Sequence, residues 1–237
     1  PTALRSADRT DERVLAVDNF ARREGVEEVG SVSATPVASI EERIDAAEET
    51  LGIRNLSFAE GDLAEKSFVD ELLTVHEPSV IVHAAAQPSA PYSQINGERA
   101  NYTQHNNLQA TRNLLWGLEA HDLTDTHFVE TTTTGVYGAP EFPIPEGGTT
   151  MENDGQRDDV PFPNMGGSWY HATKGFDAQN MRLANTQFDI PISDVRTAIT
   201  YGTETEETRE DDRLKTRFDF DYYFGTVAHR FCAQAVA

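Results

Sequence analysis

Short apolar runs alternate along this chain with longer amphipathic stretches, and no other feature restricts the fold as much. Residues 2–8 read as a helix, and residues 14–17 as a strand ending in Asp18 and Asn19. Ser39 and Glu42 have the spacing of a capping box, which predicts a helix running to Leu51. Residues 56–60 read as a strand, 65–75 as a helix and 79–84 as a strand. A long helix is expected over 98–120, a strand over 127–131, a helix over 168–186, a strand over 192–196 and a last helix over 222–237. Strand and helix repeated at this spacing predict parallel strands joined by right-handed crossovers. The expected class is therefore α/β, a doubly wound parallel sheet of Rossmann-like type. The unbroken apolar run at Val80, Ile81 and Val82 predicts a strand covered on both faces. Two stretches break the rhythm. Residues 138–167 are rich in Pro, Gly and acid and read as one long loop; residues 201–217 are almost wholly polar.

Charge narrows the classes of partner. The 237 residues carry 40 acidic and 19 basic side chains, a net charge of −21. Such a chain should repel nucleic acid and anionic membranes. The acids are dispersed, and three lysines stand against sixteen arginines. That is the pattern of a protein soluble in very high salt; an ordinary acidic cytosolic enzyme is the alternative. No segment approaches the roughly 18 apolar residues of a membrane helix, and no basic-then-apolar leader opens the chain. A cytoplasmic protein is expected. Cys232, the single cysteine, allows no intrachain disulfide and reads as a buried, inert residue on the last helix. No spacing of His, Asp and Glu points to a metal site.

The chemistry concentrates around Tyr170 and Lys174. Residues four apart share a helix face. A phenol ionises near pH 10 and becomes a useful base only when cations stabilise its phenolate. Lys174 is one such cation, and an oxidised nicotinamide ring would be another. Alone, the pair is better read as an amphipathic surface pair, because the spacing recurs by chance in many proteins. Three further features accompany it in chain order. Thr133 stands just past the strand at 127–131, where α/β sheets place ligands; Thr is also simply a good strand former. Asp18 follows the first strand, where an acid suits a ribose 2′-hydroxyl; Arg22 and Arg23 keep a 2′-phosphate open. His83 leads into three alanines that would let a cofactor approach the backbone, or are ordinary core. His171, beside Tyr170, is a candidate proton carrier, because imidazole titrates near neutrality, or else a packed histidine.

With these residues in this order the chain resembles the extended short-chain dehydrogenase/reductases, the NAD-dependent nucleotide-sugar epimerases and dehydratases. The family's Gly-rich phosphate loop between first strand and first helix does not occur here. The chain is expected to be truncated at both ends, lacking that strand and the C-terminal part. Ser89-Ala90-Pro91-Tyr92-Ser93, Gln104-His105-Asn106-Asn107, Tyr201-Gly202, Phe224-Gly225-Thr226 and Arg230-Phe231-Cys232 are similar to the branch that makes a sulfonated nucleotide sugar. The resemblance implies NAD as cofactor, UDP-glucose and sulfite as substrates, and a homodimer. It implies a catalytic set of Thr133, Tyr170 and Lys174. Asp18, Asn19, Arg22, Arg23, Asp62, Leu63 and Asn107 would lie on the cofactor, with Tyr170 and Lys174. Gln87, Thr226 and Arg230 would lie toward the nucleotide sugar. It also implies an NAD-binding region over residues 1–200 and the start of a nucleotide-sugar-binding region over 201–237. The chain departs from that branch at Pro88 (Arg in the branch), Val136 (Glu), Thr197 (Gln) and His229 (Asn). An Arg replaced by Pro88 removes an anion contact, so sulfite is the least supported of these implications, and a UDP-sugar 4-epimerase that never meets sulfite is the alternative. Thr134 and Gly135 stand where 4,6-dehydratases carry an Asp-Glu pair, which argues against that route.

Overall fold

A computed structural model describes residues 1–237. The chain divides into two compact units, Pro1–Asp62 with Ile199–Ala237, and Leu63–Ala198.

In the first unit, α1 (Thr2–Arg9), β1 (Val14–Asp18), α2 (Ala21–Glu28), α3 (Ile40–Leu51) and β2 (Leu56–Glu60) follow one another. β1 and β2 are parallel, with Val14 opposite Leu56 and Asp18 opposite Glu60. The capping box forms as the spacing predicts: the Ser39 hydroxyl accepts from the Glu42 amide while the Glu42 carboxylate accepts from the Ser39 amide. Gly52 ends that helix in a left-handed conformation at φ 71°, which a residue without Cβ adopts at no steric cost. The core joins Leu4 and Ala7 of α1, Ala46 and Ala47 of α3, Ile53, and Leu214 from the distant second segment. Arg43 secures that segment by donating to the carbonyls of Leu214 and Lys215 at 3.0 and 2.7 Å. The polar stretch 201–217 is therefore tied down; two 3-10 turns, Glu207–Arg209 and Asp212–Leu214, lie within it.

The last helix, α7 (Val227–Val236), starts later than the expected residue 222. The Asp221 carboxylate accepts from the amides of Tyr223 and Phe224, an Asx turn that holds 221–225 out of the helix until Thr226 caps it. Cys232 is exposed on α7, contrary to the expected burial, because this short helix buries only His229.

The second unit runs α4 (Lys66–His76), β3 (Val80–His83), α5 (Gly97–Ala120), β4 (His127–Thr133), β5 (Gly148–Asn153), β6 (Gln156–Pro161), α6 (Trp169–Phe188) and β7 (Ile192–Thr197). Its sheet has the order β3-β4-β7, all parallel. Phe128, Glu130 and Thr132 of β4 alternate onto the buried face, so Phe128 meets Val69, Leu73, Leu118, Met181 and Ile190 from the helices and their connections. Ile81 and His83 lie opposite Phe128 and Glu130 and share this face. Val80 and Val82 point the other way and are 53% and 48% exposed. The expected cover on both faces of β3 is thus not found: α4, α5 and α6 supply one apolar layer, and it lies on the Ile81 side.

The expected loop over 138–167 contains the antiparallel hairpin β5–β6, with Gly148 opposite Pro161 and Asn153 opposite Gln156. Its two-residue tip is Asp154-Gly155, both at positive φ (50° and 77°). That is the turn chemistry a hairpin with right-twisted strands demands, and it overrides the Pro-rich composition on either side.

Candidate active site

Tyr170 sits in the first turn of α6. Ser168 caps that helix, its hydroxyl accepting from the His171 amide at 3.1 Å. The Tyr170 amide, one of the donors a helix start leaves unpaired, donates to the Ser93 hydroxyl at 3.2 Å. Ser93 is fully buried and belongs to the Ser89–Ser93 stretch, so that motif braces the helix carrying the phenol.

Asn107 braces the same loop from α5. Its side chain accepts from the Gln87 amide at 2.8 Å, donates to the Gln87 carbonyl at 3.2 Å, and donates to Thr173 at 3.1 Å. Gln87, expected toward the sugar, turns its side chain inward: Nε2 donates to Thr103 and the Ser89 carbonyl, and Oε1 accepts from the Ser89 amide. In this arrangement Gln87 shapes the loop.

Thr133 is the last residue of β4, and its hydroxyl accepts from the Gly135 amide at 3.1 Å. Gly135 leaves room for the His171 ring; a Cβ there would lie 2.4 Å from His171 Nε2. His171 Nδ1 lies 3.1 Å from the Ser168 hydroxyl, and its ring is 5.4 Å from that of Tyr170. Thr133, Gly135, His171 and Tyr170 thus form one continuous cluster at the carboxyl end of β4. Burial holds the His171 imidazole below its ordinary value, so it is neutral at neutral pH. Trp169, with Gln94, Asn96, Asn101 and Gln104, lines a groove of about 430 Å³ beside this cluster.

Lys174 departs from expectation. It is 2% exposed, and Nζ donates to Glu130 Oε1 at 2.9 Å and lies 3.6 Å from Asp177 Oδ2. Burial would lower its pKa, but Glu130 and Asp177 outweigh that and raise it. The Tyr170 phenol is held above its ordinary value. Burial is the main cause, Asp177 and Glu130 add to it, and Lys174 opposes it. The expected depression toward neutrality is not found, because burial, helped by the two carboxylates, outweighs the one ammonium. Glu130 and Asp177 were missed in the sequence. Glu130 is the lone carboxylate in the strand His127–Thr133, on the face of Phe128, and that was a readable signal.

The remaining residues expected on the cofactor or sugar are spread over both units. Asp18 ends β1, exposed; its Oδ1 accepts from the Phe20 amide at 2.7 Å, and Asn19 caps the following turn by accepting from the Ala21 amide. Arg22 is paired with Asp219 at 2.9 Å, and Arg23 lies over the Phe20 ring. Asp62 ends the first of the two segments that make up the first unit. The Leu63 carbonyl accepts from Asn113, and its side chain packs on the second unit's core. Thr226 caps α7 by accepting from the His229 amide, and Arg230 wraps back to the carbonyls of Asp221 and Gly225.

Comparison with known proteins decides the family. Residues 5–218 match the NAD dependent epimerase/dehydratase family. The chain belongs to that family. It is 37% identical over 222 residues to the chloroplastic UDP-sulfoquinovose synthase of Spinacia oleracea, covering 94% of this chain and 46% of that protein. It is 38% identical over 238 residues to the UDP-sulfoquinovose synthase of Sulfolobus acidocaldarius, covering all of this chain and 59% of that one. The chain thus spans about half the length of the curated relatives it matches. Among solved structures it is similar to the UDP-glucose 4-epimerase of Thermotoga maritima at a TM-score of 0.60 and 17% identity, over 85% of this chain and 52% of that one. It is also similar to the UDP-glucuronic acid 4-epimerase of Bacillus cereus, at 0.59 and 19%, over 85% and 54%. These likenesses show a Rossmann-type α/β fold.

Proposed function

We propose that the protein carrying this chain is a UDP-sulfoquinovose synthase: it converts UDP-glucose and sulfite to UDP-sulfoquinovose and water. The observation that carries this reading is 37–38% identity across the chain to two such synthases from distant organisms, with Tyr170, His171, Thr133 and the Ser89–Ser93 brace gathered into one cluster.

The residues fit NAD. Asp18 presents a carboxylate at the end of a parallel strand, as a ribose diol requires, while Arg22 is already committed to Asp219 and is not left to hold a 2′-phosphate. Asp18, Asn19 and Arg23, with the Asp62–Leu63 segment, would hold the adenosine half, and Tyr170 would face the nicotinamide half; Lys174, turned inward onto Glu130, would not touch it. NAD, when bound, takes up and returns a hydride. Tyr170 removes the proton from the sugar 4-hydroxyl, and Thr133 hydrogen-bonds the same oxygen. Oxidation at C4 acidifies the C5 proton, so water can leave across C5–C6 and sulfite can add at C6. His171, neutral and next to Tyr170, takes up the C5 proton and passes it to the departing C6 hydroxyl, which leaves as water. Thr226 and Arg230 lie toward the nucleotide sugar, and residues from 201 onward begin the region that binds it. The amides and exposed indole of the Trp169 groove suit sugar hydroxyls and support a carbohydrate nearby.

We also propose a homodimer. Trp116 of α5 and Phe176 and Leu183 of α6 are 56%, 57% and 54% exposed, and on α6 they recur at helical spacing. The dispersed acids and few lysines support a cytoplasm of high salt. No helix of the chain is long and apolar enough to cross a membrane.

The full-length protein given UDP-glucose should form a sulfonated nucleotide sugar only when sulfite is present. Interconversion of UDP-glucose and its C4 epimer, unaffected by sulfite, would instead make it an epimerase. Pro88, in place of the branch's Arg, is the residue that favours that second reading.

A further inference from the structure

Behind Tyr170 lies a group of charges that the proposed reaction does not use. Glu130 of β4 and Asp177 of α6 are fully buried, and the Lys174 ammonium between them is 2% exposed. Water is thus excluded from all three. Glu130 Oε2 and Asp177 Oδ1 have no hydrogen-bond partner in the protein, and Asp177 Oδ2 has only the Lys174 ammonium, at 3.6 Å. Buried carboxylate oxygens are almost always paired, so unpaired ones mark a group kept for something other than stability. Two carboxylates share one ammonium, so the second of them can ionise only against the charge of the first.

The groups facing this trio can be named element by element. From α6 come Tyr170 and Asp177, and from β4 comes Glu130. From β3 comes His83, whose Nε2 lies 3.3 Å from the Thr111 hydroxyl of α5. From β7 comes Asp194, which acts on Glu130 and is engaged by Thr132 and Arg196. His83 is neutral: burial and the nearby Lys174 push it down to about 3. Lys174 is thus the one cation in the group, and Tyr170, one helical turn away, is acted on by it and by both acids.

We propose that Glu130 is a positioning residue: with Asp177 it fixes the Lys174 ammonium behind Tyr170, and the charge of this trio sets how readily the phenol gives up its proton. The proposal rests on Tyr170 acting as the base in the reaction proposed above. Below neutrality the two acids retain a proton between them. Burial and Glu130 push Asp177 up to about 8, and burial raises Glu130 as well. In the alkaline range where a phenol titrates, both acids are ionised and the trio is net negative, which opposes phenolate formation.

Ultraviolet titration of the full-length protein without added sugar tests this, with Tyr170→Phe identifying the phenol's own signal. Glu130→Gln removes one negative charge and frees the ammonium to face the phenolate. Tyr170 should then hold its proton about tenfold less tightly. Glu130→Asp keeps the charge and should titrate as the native protein does, which a merely structural role would not produce. Asp177→Asn should move Tyr170 in the same direction as Glu130→Gln, and decides in the same terms if Glu130→Gln does not fold. A Glu130→Gln protein with native circular dichroism whose Tyr170 titrates at or above the native pH overturns the proposal. The titration needs no sulfite. If the native enzyme made no sulfonated sugar but this shift were intact, the proposed substrate would fall and the positioning role would stand.

Discussion

At the scale of single residues the cluster is set by small groups in fixed places. Tyr170→Phe keeps the ring and removes the oxygen proposed as the acid–base group. Turnover should fall by about 10²–10⁴-fold, measured on nucleotide-sugar product, with the fold unchanged by circular dichroism. Gly135 matters through what it lacks. A Cβ would lie 2.4 Å from His171 Nε2, so Gly135→Ala must displace the ring and break its pairing with Ser168. The imidazole resonances of His171 should shift in that variant and stay put in Gly155→Ala, where nothing stands within 4 Å. His171→Ala with full turnover would remove that residue from the proton path.

At the scale of elements, β4 carries both the core and part of the candidate site. Phe128 is fully buried among helix side chains, and Phe128→Ala should cost about 3–5 kcal/mol in denaturant unfolding. Its neighbours set a pH dependence. Asp177 titrates near 8 when folded, far above the ordinary aspartate value of 3.8, so its stabilising contribution is complete below 3.8 and is lost as pH rises through 8. His83 has the opposite sign. Its folded value is about 3 against an ordinary 6.5, so its contribution is complete above 6.5 and is lost as pH falls toward 3. Between 6.5 and 8 only the acid side of the cluster acts, and stability should decline; Asp177→Asn should flatten that slope in urea midpoints taken across the range. Most of these elements were legible in the sequence. Parallel strands announce themselves as apolar runs, and the Ser39–Glu42 cap as a local pattern, because both depend on neighbours in the chain. The β5–β6 hairpin was hidden under proline-rich composition, although Asp154-Gly155 marked its tip. The inward turn of Lys174 was hidden for another reason. Its partner Glu130 lies 44 residues away in the chain, and only the packing of α6 on β4 brings the two together. The residue types of the candidate site could be read from spacing, but the charge environment that sets their protonation could not.

At the scale of the whole molecule, charge and exposed surface dominate. A net charge of −21 repels itself over about 10 Å at 0.1 M salt and about 3 Å at 1 M. The thermal midpoint should therefore climb as potassium chloride is raised across that range, and a flat or falling curve would dispose of the high-salt reading. Replacing Trp116 and Leu183 together by Glu should shift the full-length protein toward monomer in sedimentation, if their face is the dimer contact. The position of β3 has a practical result for anyone handling the polypeptide. It is the border strand of its sheet, pairs on one side with β4 alone, and displays Val80 and Val82 to solvent. A bare apolar border recruits a strand from another molecule. Concentrated samples of residues 1–237 should thus gather into fibrillar or amorphous deposits that bind thioflavin, and Val82→Lys should keep them clear.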